Sequence, residues 1–372
     1  MHEAKCATSL SLKVNYQFKL DRPHKDYNIK FLDLKHVTQS QEHSKGTLFL
    51  FEDRRLQYNK TFTTPKNEFL PVVIVRKCTC YDTSLLYRIF SENLPELFSS
   101  IKIFPEKINK IAIKINLCDA RTPETGAITH PKFLDAFLMF LRESFGYLSE
   151  IVVVESDSGV AMPDLFIKWF GYDKILTKWQ AKYVNLSRDK IIKTKIYGRV
   201  FKEIPVPQTI YDADLFITLA KLKTNMLTKI TAALKNQFGC LPIIRKARYH
   251  SKIDNAIAEI NSVMRPDVSV VDGIIGMGGI YGPSFGKPIR SGIIVMSNDP
   301  VAADAFCAKF MGFNPLSIGH IRCCAQAGVG RTEYKLIINS GIKIPDKRYK
   351  FSAIEYYIFR LGLKLRSRLG RI

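Results

Sequence analysis

The sequence predicts an α/β protein with a mostly parallel sheet and crossover helices on both faces. Short runs of β-branched residues alternate along the chain with longer segments in which apolar residues recur at helical spacing. This succession is typical of a parallel sheet, because parallel strands need a crossover connection. The apolar content of 46% over 372 residues is sufficient to fill the core of such a domain.

The first half of the chain contains clear strand and helix patterns. A β-branched run precedes Arg76, and another ends at Glu155 in a Glu-Ser-Asp-Ser-Gly segment. Between them, Phe133, Phe137 and Phe140 recur on one helix face. We predict strands at 47–51, 71–76, 111–116 and 151–154, and helices at 86–101 and 131–148.

The second half repeats the pattern. Asp299 and Pro300 are typical of a helix start, and Gly312 follows the end of that helix. An apolar segment around Leu227 and Leu234 is spaced for one buried helix face, so a helix is predicted there too. We predict strands at 214–219, 268–271 and 293–296, and helices at 226–234, 253–264 and 300–311.

Three parts of the chain are distinguished by composition. Residues 1–45 are polar and weakly periodic, and we interpret them as an N-terminal appendage of uncertain order. Residues 46–345 form the predicted α/β domain. Residues 346–372 predict a basic amphipathic helix, whose apolar stripe either lies in an anionic membrane interface or docks on the protein's own core.

The charge of the chain favours anionic partners. Lys and Arg number 56 against 34 Asp and Glu, a formal net charge of +22. The basic residues are spread along the chain, which makes nucleic acid a less favoured partner than a small anionic ligand. Neither a secretory signal nor a membrane-spanning run is found in the sequence. The eight cysteines form no C-x-x-C pair, so we predict a cytoplasmic protein, with a membrane-peripheral location as the alternative.

Polar residues follow several predicted strands, where open α/β sheets bind their ligands. Lysine supplies a point charge and asparagine supplies directed hydrogen bonds, a combination suited to an anion. A carboxylate supplies acid–base capacity or holds a divalent cation. The candidate catalytic residues are Asp272, Asp299, Glu155 and His250. The candidate ligand-binding residues are Lys114, Asn116, Lys221, Lys223, Asn225, Lys235, Asn236, Gly278, Gly279 and Gly282.

The glycine-rich segment 276–286 is a candidate loop for close backbone approach to a ligand. It does not open a helix, because Pro283 and Pro288 interrupt the chain there, so the dinucleotide-binding fingerprint is excluded. Gly286-Lys287 precedes proline, which excludes a P-loop. A plain tight loop is the alternative.

Together these motifs resemble the domain-of-unknown-function family 362, over about residues 70–332. The matching segments are Lys114–Leu117, Thr122-Pro123, Thr129–Pro131, Lys221–Thr224, Ala233–Gly239, His250, Asp267–Gly273, Gly282-Pro283, Gly286, Asn298–Asp304 and Met311-Gly312. The resemblance implies one α/β domain and little about a reaction. Many members are associated with ferredoxin-like cysteine motifs for 4Fe-4S clusters, which this chain lacks, so no intrinsic cluster is expected. Asn225 stands where the family usually has histidine.

The sequence supports three functional hypotheses. The first is an enzyme of unknown reaction class that binds a small phosphate- or carboxylate-bearing ligand, with a divalent cation as a candidate cofactor. The second is a non-enzymatic basic module that binds nucleic acid or an anionic membrane surface. The third is a redox partner of an external iron–sulfur protein, or one that uses a Cys323–Cys324 couple. The oligomeric state stays open.

Overall fold

The computed structural model describes residues 70–159, 161–279 and 286–349, two short strands before them, and Ile354, 356–358, 361–362 and Leu365 after them. The two short strands are β1 (Lys30–Leu32) and β2 (Leu48–Leu50), which pair antiparallel. The second of these falls on the strand predicted at 47–51. Most of the predicted N-terminal appendage and Gly282 lie outside the described residues.

The further strands, in chain order, are β3 (Val72–Lys77), β4 (Lys110–Lys114), β5 (Glu150–Glu155), β6 (Lys182–Asn185), β7 (Ile191–Lys195), β8 (Glu203–Pro207), β9 (Leu215–Asn225), β10 (Lys229–Thr231), β11 (Val268–Gly278), β12 (Lys287–Ile289), β13 (Ile293–Ser297) and β14 (Lys335–Ile338). Within the described residues, the main path of the central sheet runs β14-β3-β13-β11-β9-β4-β5-β6, with β10 paired to β9 and β12 to β11. The pairs β14–β3, β11–β9, β9–β4, β4–β5 and β5–β6 are parallel. Strand β13 is antiparallel to both β3 and β11.

The helices, in chain order, are α1 (Thr83–Ser100), α2 (Pro131–Phe145), α3 (Pro163–Trp169), α4 (Tyr172–Lys178), α5 (Gln208–Tyr211), α6 (Ala233–Asn236), α7 (Ile253–Val263), α8 (Pro300–Phe310) and α9 (Gly319–Gln326). Successive strand residues alternate between two cores: Ile74 packs with α1 to α4, and Val75 packs with α6 to α9. The predicted mostly parallel α/β fold with helices on both faces is therefore confirmed.

The helix predicted at 226–234 is wrong. Strand β9 continues through the lysine-rich segment to Asn225, and a hairpin then leads into β10. Helix α6 begins only at Ala233. Met226, Leu227, Ile230 and Leu234 have helical spacing, but they lie in the hairpin, in β10 and in α6, and all pack against the same core. Over so short a segment, apolar spacing does not distinguish a helix from a hairpin.

The direction of β13 also changes the predicted site. The predicted site requires parallel strands, whose carboxyl ends lie at the same edge of the sheet. Strand β13 is antiparallel to β11, and Ser297 at its end pairs with Ser269 near the start of β11. The carboxyl end of β13 therefore lies beside the amino end of β11. Residues that follow β13, including Asp299, are at the opposite edge of the sheet from the residues that follow β4, β5 and β9.

Candidate functional site

The carboxyl ends of parallel β4, β5 and β9 bring together a group of charged and amide side chains. We call Lys114, Asn116, Glu155, Lys223 and Asn236 the lysine–amide network. They come from three strand ends and from α6, and each is almost entirely buried. Most of the predicted ligand-binding lysines and amides thus lie in one connected group.

The pair formed by Lys114 and Glu155 is internally neutral. Lys114 Nζ lies 2.8 Å from Glu155 Oε1 and also donates to the carbonyl of Ile115 at 2.6 Å. The carboxylate accepts from the backbone N–H of Leu117 at 2.9 Å and of Ser156 at 3.0 Å. Because its oxygens are engaged in this way, Glu155 holds Lys114 and the strand ends in place rather than presenting a free base.

The amides link this ion pair to the next lysine. Asn236 Oδ1 accepts from Asn116 Nδ2 at 2.9 Å and lies 3.5 Å from Lys114 Nζ. Its Nδ2 donates to Thr218 Oγ1 at 2.8 Å. Asn116 Oδ1 in turn accepts from Lys223 Nζ at 2.8 Å. Each amide has one defined orientation, because its oxygen faces ammonium or amide donors.

Lys223 differs from Lys114 in having neutral partners. Its Nζ donates to Asn116 Oδ1 and to the carbonyl of Ala127 at 2.8 Å, and lies 3.3 Å from Cys118 Sγ. Within the described residues, no carboxylate oxygen lies within 4 Å of this ammonium. Among the described residues, the ammonium group of Lys223 therefore contacts an amide oxygen, a backbone carbonyl and a thiol, but no carboxylate.

A second lysine without a carboxylate lies next to it. Lys235 is half-buried, and its Nζ is 5.9 Å from the centre of the Phe238 ring. Desolvation lowers the pKa of Lys235 to about 8; Cys118 opposes this shift and Lys223 adds to it. His250 lies beside the same ring, and burial followed by the charge of Lys235 lowers its pKa to about 4. We call Cys118, Lys223, Lys235, Phe238 and His250 the lysine pocket.

A separate polar group surrounds Asp272 in β11. Its Oδ2 lies 2.8 Å from Lys221 Nζ, and both side chains are fully buried. Tyr81 donates its hydroxyl to the same carboxylate at 3.0 Å and stacks on the ring of His130 at 3.7 Å. Lys221 also donates to the carbonyl of Ile275 at 2.8 Å. Asp272 and Lys221 therefore neutralise each other inside the sheet.

The pKa values in this group follow from its burial. Desolvation and then the charge of Asp272 raise the pKa of Tyr81 well above its usual range. Burial lowers the pKa of Lys221, and the carboxylate opposes that shift. Burial lowers the pKa of His130 to about 4, so its imidazole is neutral at pH 7.

The glycine that ends the Lys-Asn-x-x-Gly motif has a packing reason. A Cβ on Gly239 would lie 2.6 Å from Glu155 Oε1 and 2.7 Å from Lys114 Nζ. The carbonyl of Gly239 accepts from Ser156 Oγ at 2.5 Å, and that hydroxyl accepts from Lys246 Nζ at 2.8 Å. Because Gly239 has no side chain, its backbone can pack directly against the buried Lys114–Glu155 ion pair.

Two predicted site residues have other roles. Asn225 forms the turn between β9 and β10, where its Oδ1 accepts from the N–H of Leu227 at 2.9 Å. Asp299 caps α8 by accepting from the N–H of Val301 at 2.7 Å and Ala302 at 2.9 Å, at the opposite edge of the sheet. We therefore include neither residue in the site.

The predicted glycine-rich loop begins within a strand, and its residues 280–285 lie outside the described part of the chain. Gly276 and Gly278 lie in β11, which pairs with β12, and a Cβ on Gly278 would lie 2.2 Å from Ile289 Cδ1. Gly279 follows at a φ of 98°, a conformation that favours glycine. These glycines permit close strand packing rather than contact with the lysine pocket.

Four residues at the site were missed by the sequence reasoning: Tyr81, Cys118, Phe238 and Lys246. Tyr81 and Cys118 lie after the predicted strands at 71–76 and 111–116, so the rule that selected Asn116 also applies to them. Lys246 donates to Ser156 and to the carbonyl of Asp157, and burial lowers its pKa to about 8. Lys246 lies between Arg245 and Arg248 in the sequence, and this basic segment does not indicate that its side chain is buried.

The residues present do not fit a metal centre or an iron–sulfur cluster in the described part of the chain. No group of three or more His, Cys, Asp or Glu side chains there is arranged to hold a metal ion. The carboxylates Glu155 and Asp272 are each matched to a lysine. A divalent cation thus stays a prediction from the sequence, without a ligand set among these residues.

An open cleft lies beside the Asp272 group, because its lining residue Ile275 accepts a hydrogen bond from Lys221. Its volume is about 330 Å³, and it is lined by Glu124, Ile275, Pro288, Ile289, Arg290 and Arg348. None of the predicted ligand-binding lysines is among these lining residues. The chemistry of the lysine pocket, rather than the size of this cleft, identifies the candidate site.

The chain is similar to proteins of known sequence and structure. It is 25% identical over 237 residues to a thylakoid-associated protein of Synechocystis, covering 61% of this chain and 71% of that protein. The lactate racemase apoprotein of Thermoanaerobacterium thermosaccharolyticum is a structural neighbour, with 11% identity and a TM-score of 0.42 over 66% of this chain. A Thermotoga maritima protein shows 12% identity and a TM-score of 0.35 over 68% of this chain. The chain spans 57% and 59% of these two structures.

A family profile matches residues 111–309, which is more than half of the chain. The matched segment contains all five residues of the lysine–amide network and all five of the lysine pocket. The chain therefore belongs to the family described as a domain of unknown function, DUF362.

Proposed function

We propose that the lysine pocket binds a small anion bearing a carboxylate or phosphate group, and that the protein is an enzyme acting on this ligand. The observation that carries the proposal is the contrast among the buried lysines. Lys114 and Lys221 each have a carboxylate at 2.8 Å, whereas Lys223 and Lys235 have none within 4 Å among the described residues.

An unpaired buried ammonium group is costly, so its presence needs a reason. Two such groups close together cost more, and here Lys223 lowers the pKa of Lys235. An anion between them would remove the repulsion and gain charge-assisted hydrogen bonds. Lys235 is the half-buried member, which is consistent with access from solvent.

The acid–base capacity of this pocket resides in Lys235 and His250. The lysine, with a pKa of about 8, is mostly protonated at pH 7 and can donate to a bound oxygen. His250 is neutral at that pH and can accept a proton, and an anion beside it would raise its lowered pKa. Glu155 and Asp272, engaged by their lysines, support the site from within the sheet.

The test is calorimetric titration of the full chain with two probes, inorganic phosphate and succinate. For Lys235→Ala we expect at least a roughly tenfold loss of affinity for the better probe, equivalent to about 1.4 kcal/mol. The melting temperature should stay within a few degrees, because removal of a desolvated ammonium relieves repulsion. The matched control is Lys252→Ala, which removes the same charge from an exposed side chain.

The two probes distinguish the ligand class. Tighter binding of phosphate indicates a phosphorylated ligand, and tighter binding of succinate indicates a carboxylate. Equal anion affinities of Lys235→Ala and the wild-type protein would contradict the proposal. Equal losses of affinity in Lys235→Ala and Lys252→Ala would also contradict it, because that result would show a general effect of net charge.

A further inference from the structure

We propose that the C-terminal helical segment is an interfacial anchor that lies in the surface of an anionic lipid bilayer. This inference does not depend on the anion site. It rests on the orientation of the segment relative to the protein body and on its charge. The described helical positions of this segment are Ile354, 356–358, 361–362 and Leu365.

One residue attaches the segment to the body. Tyr356 is buried, and its hydroxyl donates to the carbonyl of Leu227 at 3.2 Å, in the hairpin between β9 and β10. Lys229 of the same hairpin lies 5.2 Å from the centre of the Tyr356 ring. This contact determines which side of the helix faces the protein.

The apolar stripe lies on the other side. Ile354, Ile358, Leu361 and Leu365 are 72%, 66%, 58% and 50% exposed. At roughly 100° per residue, each of them is about half a turn away from Tyr356 around the helix. The interpretation in which the stripe docks on the protein's own core is therefore contradicted at these four positions, and four large apolar side chains share one outward face.

The charge of the segment selects the partner. From Ile354 to Ile372 the sequence contains one acidic residue, Glu355, and five basic residues: Arg360, Lys364, Arg366, Arg368 and Arg371. An apolar stripe next to cations is suited to the boundary between anionic headgroups and acyl chains. None of the helices in the described residues is long and apolar enough to cross a membrane.

A nucleic acid or a second copy of this chain would fit this surface less well than an anionic bilayer. A nucleic acid would use the cations but would leave the apolar stripe in water. A second copy of the chain would cover the stripe but would bring five cations against five, which is destabilising at ordinary ionic strength. An anionic bilayer satisfies both the charge and the apolar face.

The test is sedimentation of the full chain with vesicles of phosphatidylcholine alone or of phosphatidylcholine mixed with phosphatidylglycerol. We expect binding to the anionic vesicles, weaker binding to the neutral ones, and a loss in high NaCl. For Leu361→Asp we expect at least a roughly tenfold fall in the partition coefficient. The matched control is Leu148→Asp, the same substitution at a fully exposed leucine between α2 and β5.

Several results would overturn the proposal: equal binding of Leu361→Asp and Leu148→Asp, equal binding to both vesicle types, or binding of single-stranded RNA in place of vesicles. A dimer that dissociates in Leu361→Asp without any vesicle binding would also overturn it in favour of self-association. Because the substituted residue is exposed, Leu361→Asp should keep its melting temperature and its phosphate or succinate affinity. Retained anion affinity separates failure of the anchor from failure of the lysine pocket.

Discussion

Burial affects the lysines of this sheet edge differently, depending on which atoms surround each ammonium. Lys221 is fully buried yet has a carboxylate partner at 2.8 Å. Lys235 is less buried but has no hydrogen-bond or ion-pair partner among the described residues, and its pKa falls to about 8. Burial lowers the pKa of both lysines, and they differ in the neighbour that opposes the shift: Asp272 for Lys221 and Cys118 for Lys235. The sequence does not reveal either neighbour.

The lowered pKa of Lys235 predicts how anion binding depends on pH. Below about pH 8 the ammonium is protonated and attracts an anion; above that pH it loses the proton and the attraction. Sulfate is a suitable probe, because its charge is constant in this range. We expect its affinity to be constant from pH 6 to 7 and to fall by up to about tenfold per unit above pH 8. Titrations across this range measure the effect.

The same titrations on Lys235→Ala provide the control for that pH dependence. Lys246 has a similar pKa of about 8, so residual pH dependence in the variant would be assigned to Lys246. An affinity of the wild-type protein that does not change between pH 7 and 9.5 would contradict the role of Lys235.

Gly239 leads to a prediction on stability. A methyl group at this position would lie 2.6 Å from Glu155 Oε1, so Gly239→Ala must displace the buried ion pair or the backbone. We expect the free energy of unfolding to fall by about 1–3 kcal/mol, measured by urea denaturation. Gly159→Ala is the control, because a Cβ there meets no atom within 4 Å. Similar effects of both substitutions would show that the loss arises from the backbone instead.

Among the secondary-structure elements, the short helix α6 depends on a distant carboxylate. Asp304 of α8 accepts from the N–H of Ala233 at 2.7 Å and from that of Leu234 at 3.3 Å, at the start of α6. Lys235 and Asn236 follow directly in that helix. A four-residue helix is not stable alone, so this buried acceptor determines where the site residues lie.

Removing that acceptor should destabilise the protein. For Asp304→Ala we expect the free energy of unfolding to fall by about 2–4 kcal/mol, because buried N–H groups lose their partner. Asp304→Asn keeps one acceptor oxygen and should lose less. Urea denaturation of the two variants checks this order, and equal losses would indicate that the charge of Asp304, rather than its acceptor geometry, holds the helix.

Regular amphipathic elements were predictable from the sequence, and the elements around the site were less so. Helices α1, α2 and α7 and strand β3 lie close to their predicted positions, because a single apolar period defines each. Strand β9 extends beyond its prediction because its lysines occupy buried positions, where their partners come from distant segments. The antiparallel direction of β13, which removes Asp299 from the site, has no local sequence signal, since strand direction depends on the whole topology.

For the whole molecule, the net charge is a separate determinant of stability. A formal charge of +22 over 372 residues arises because 56 Lys and Arg residues outnumber 34 Asp and Glu residues. The mutual repulsion of the excess cations opposes the compact state at low ionic strength. Salt shortens the range of this repulsion to about 10 Å at 0.1 M, whereas buried pairs such as Lys114–Glu155 are screened much less.

We therefore expect NaCl to raise the melting temperature, most steeply at low concentration. An increase from about 10 to 150 mM should raise it by about 1–2 °C, which corresponds to about 1 kcal/mol for a protein of 372 residues. Chloride is preferable to sulfate, because sulfate would also bind in the lysine pocket and raise the melting temperature by ligand binding. Calorimetry at several NaCl concentrations measures this change in melting temperature. A melting temperature that is constant or falls with NaCl would show that surface ion pairs outweigh the repulsion, because such pairs are weakened by the same screening.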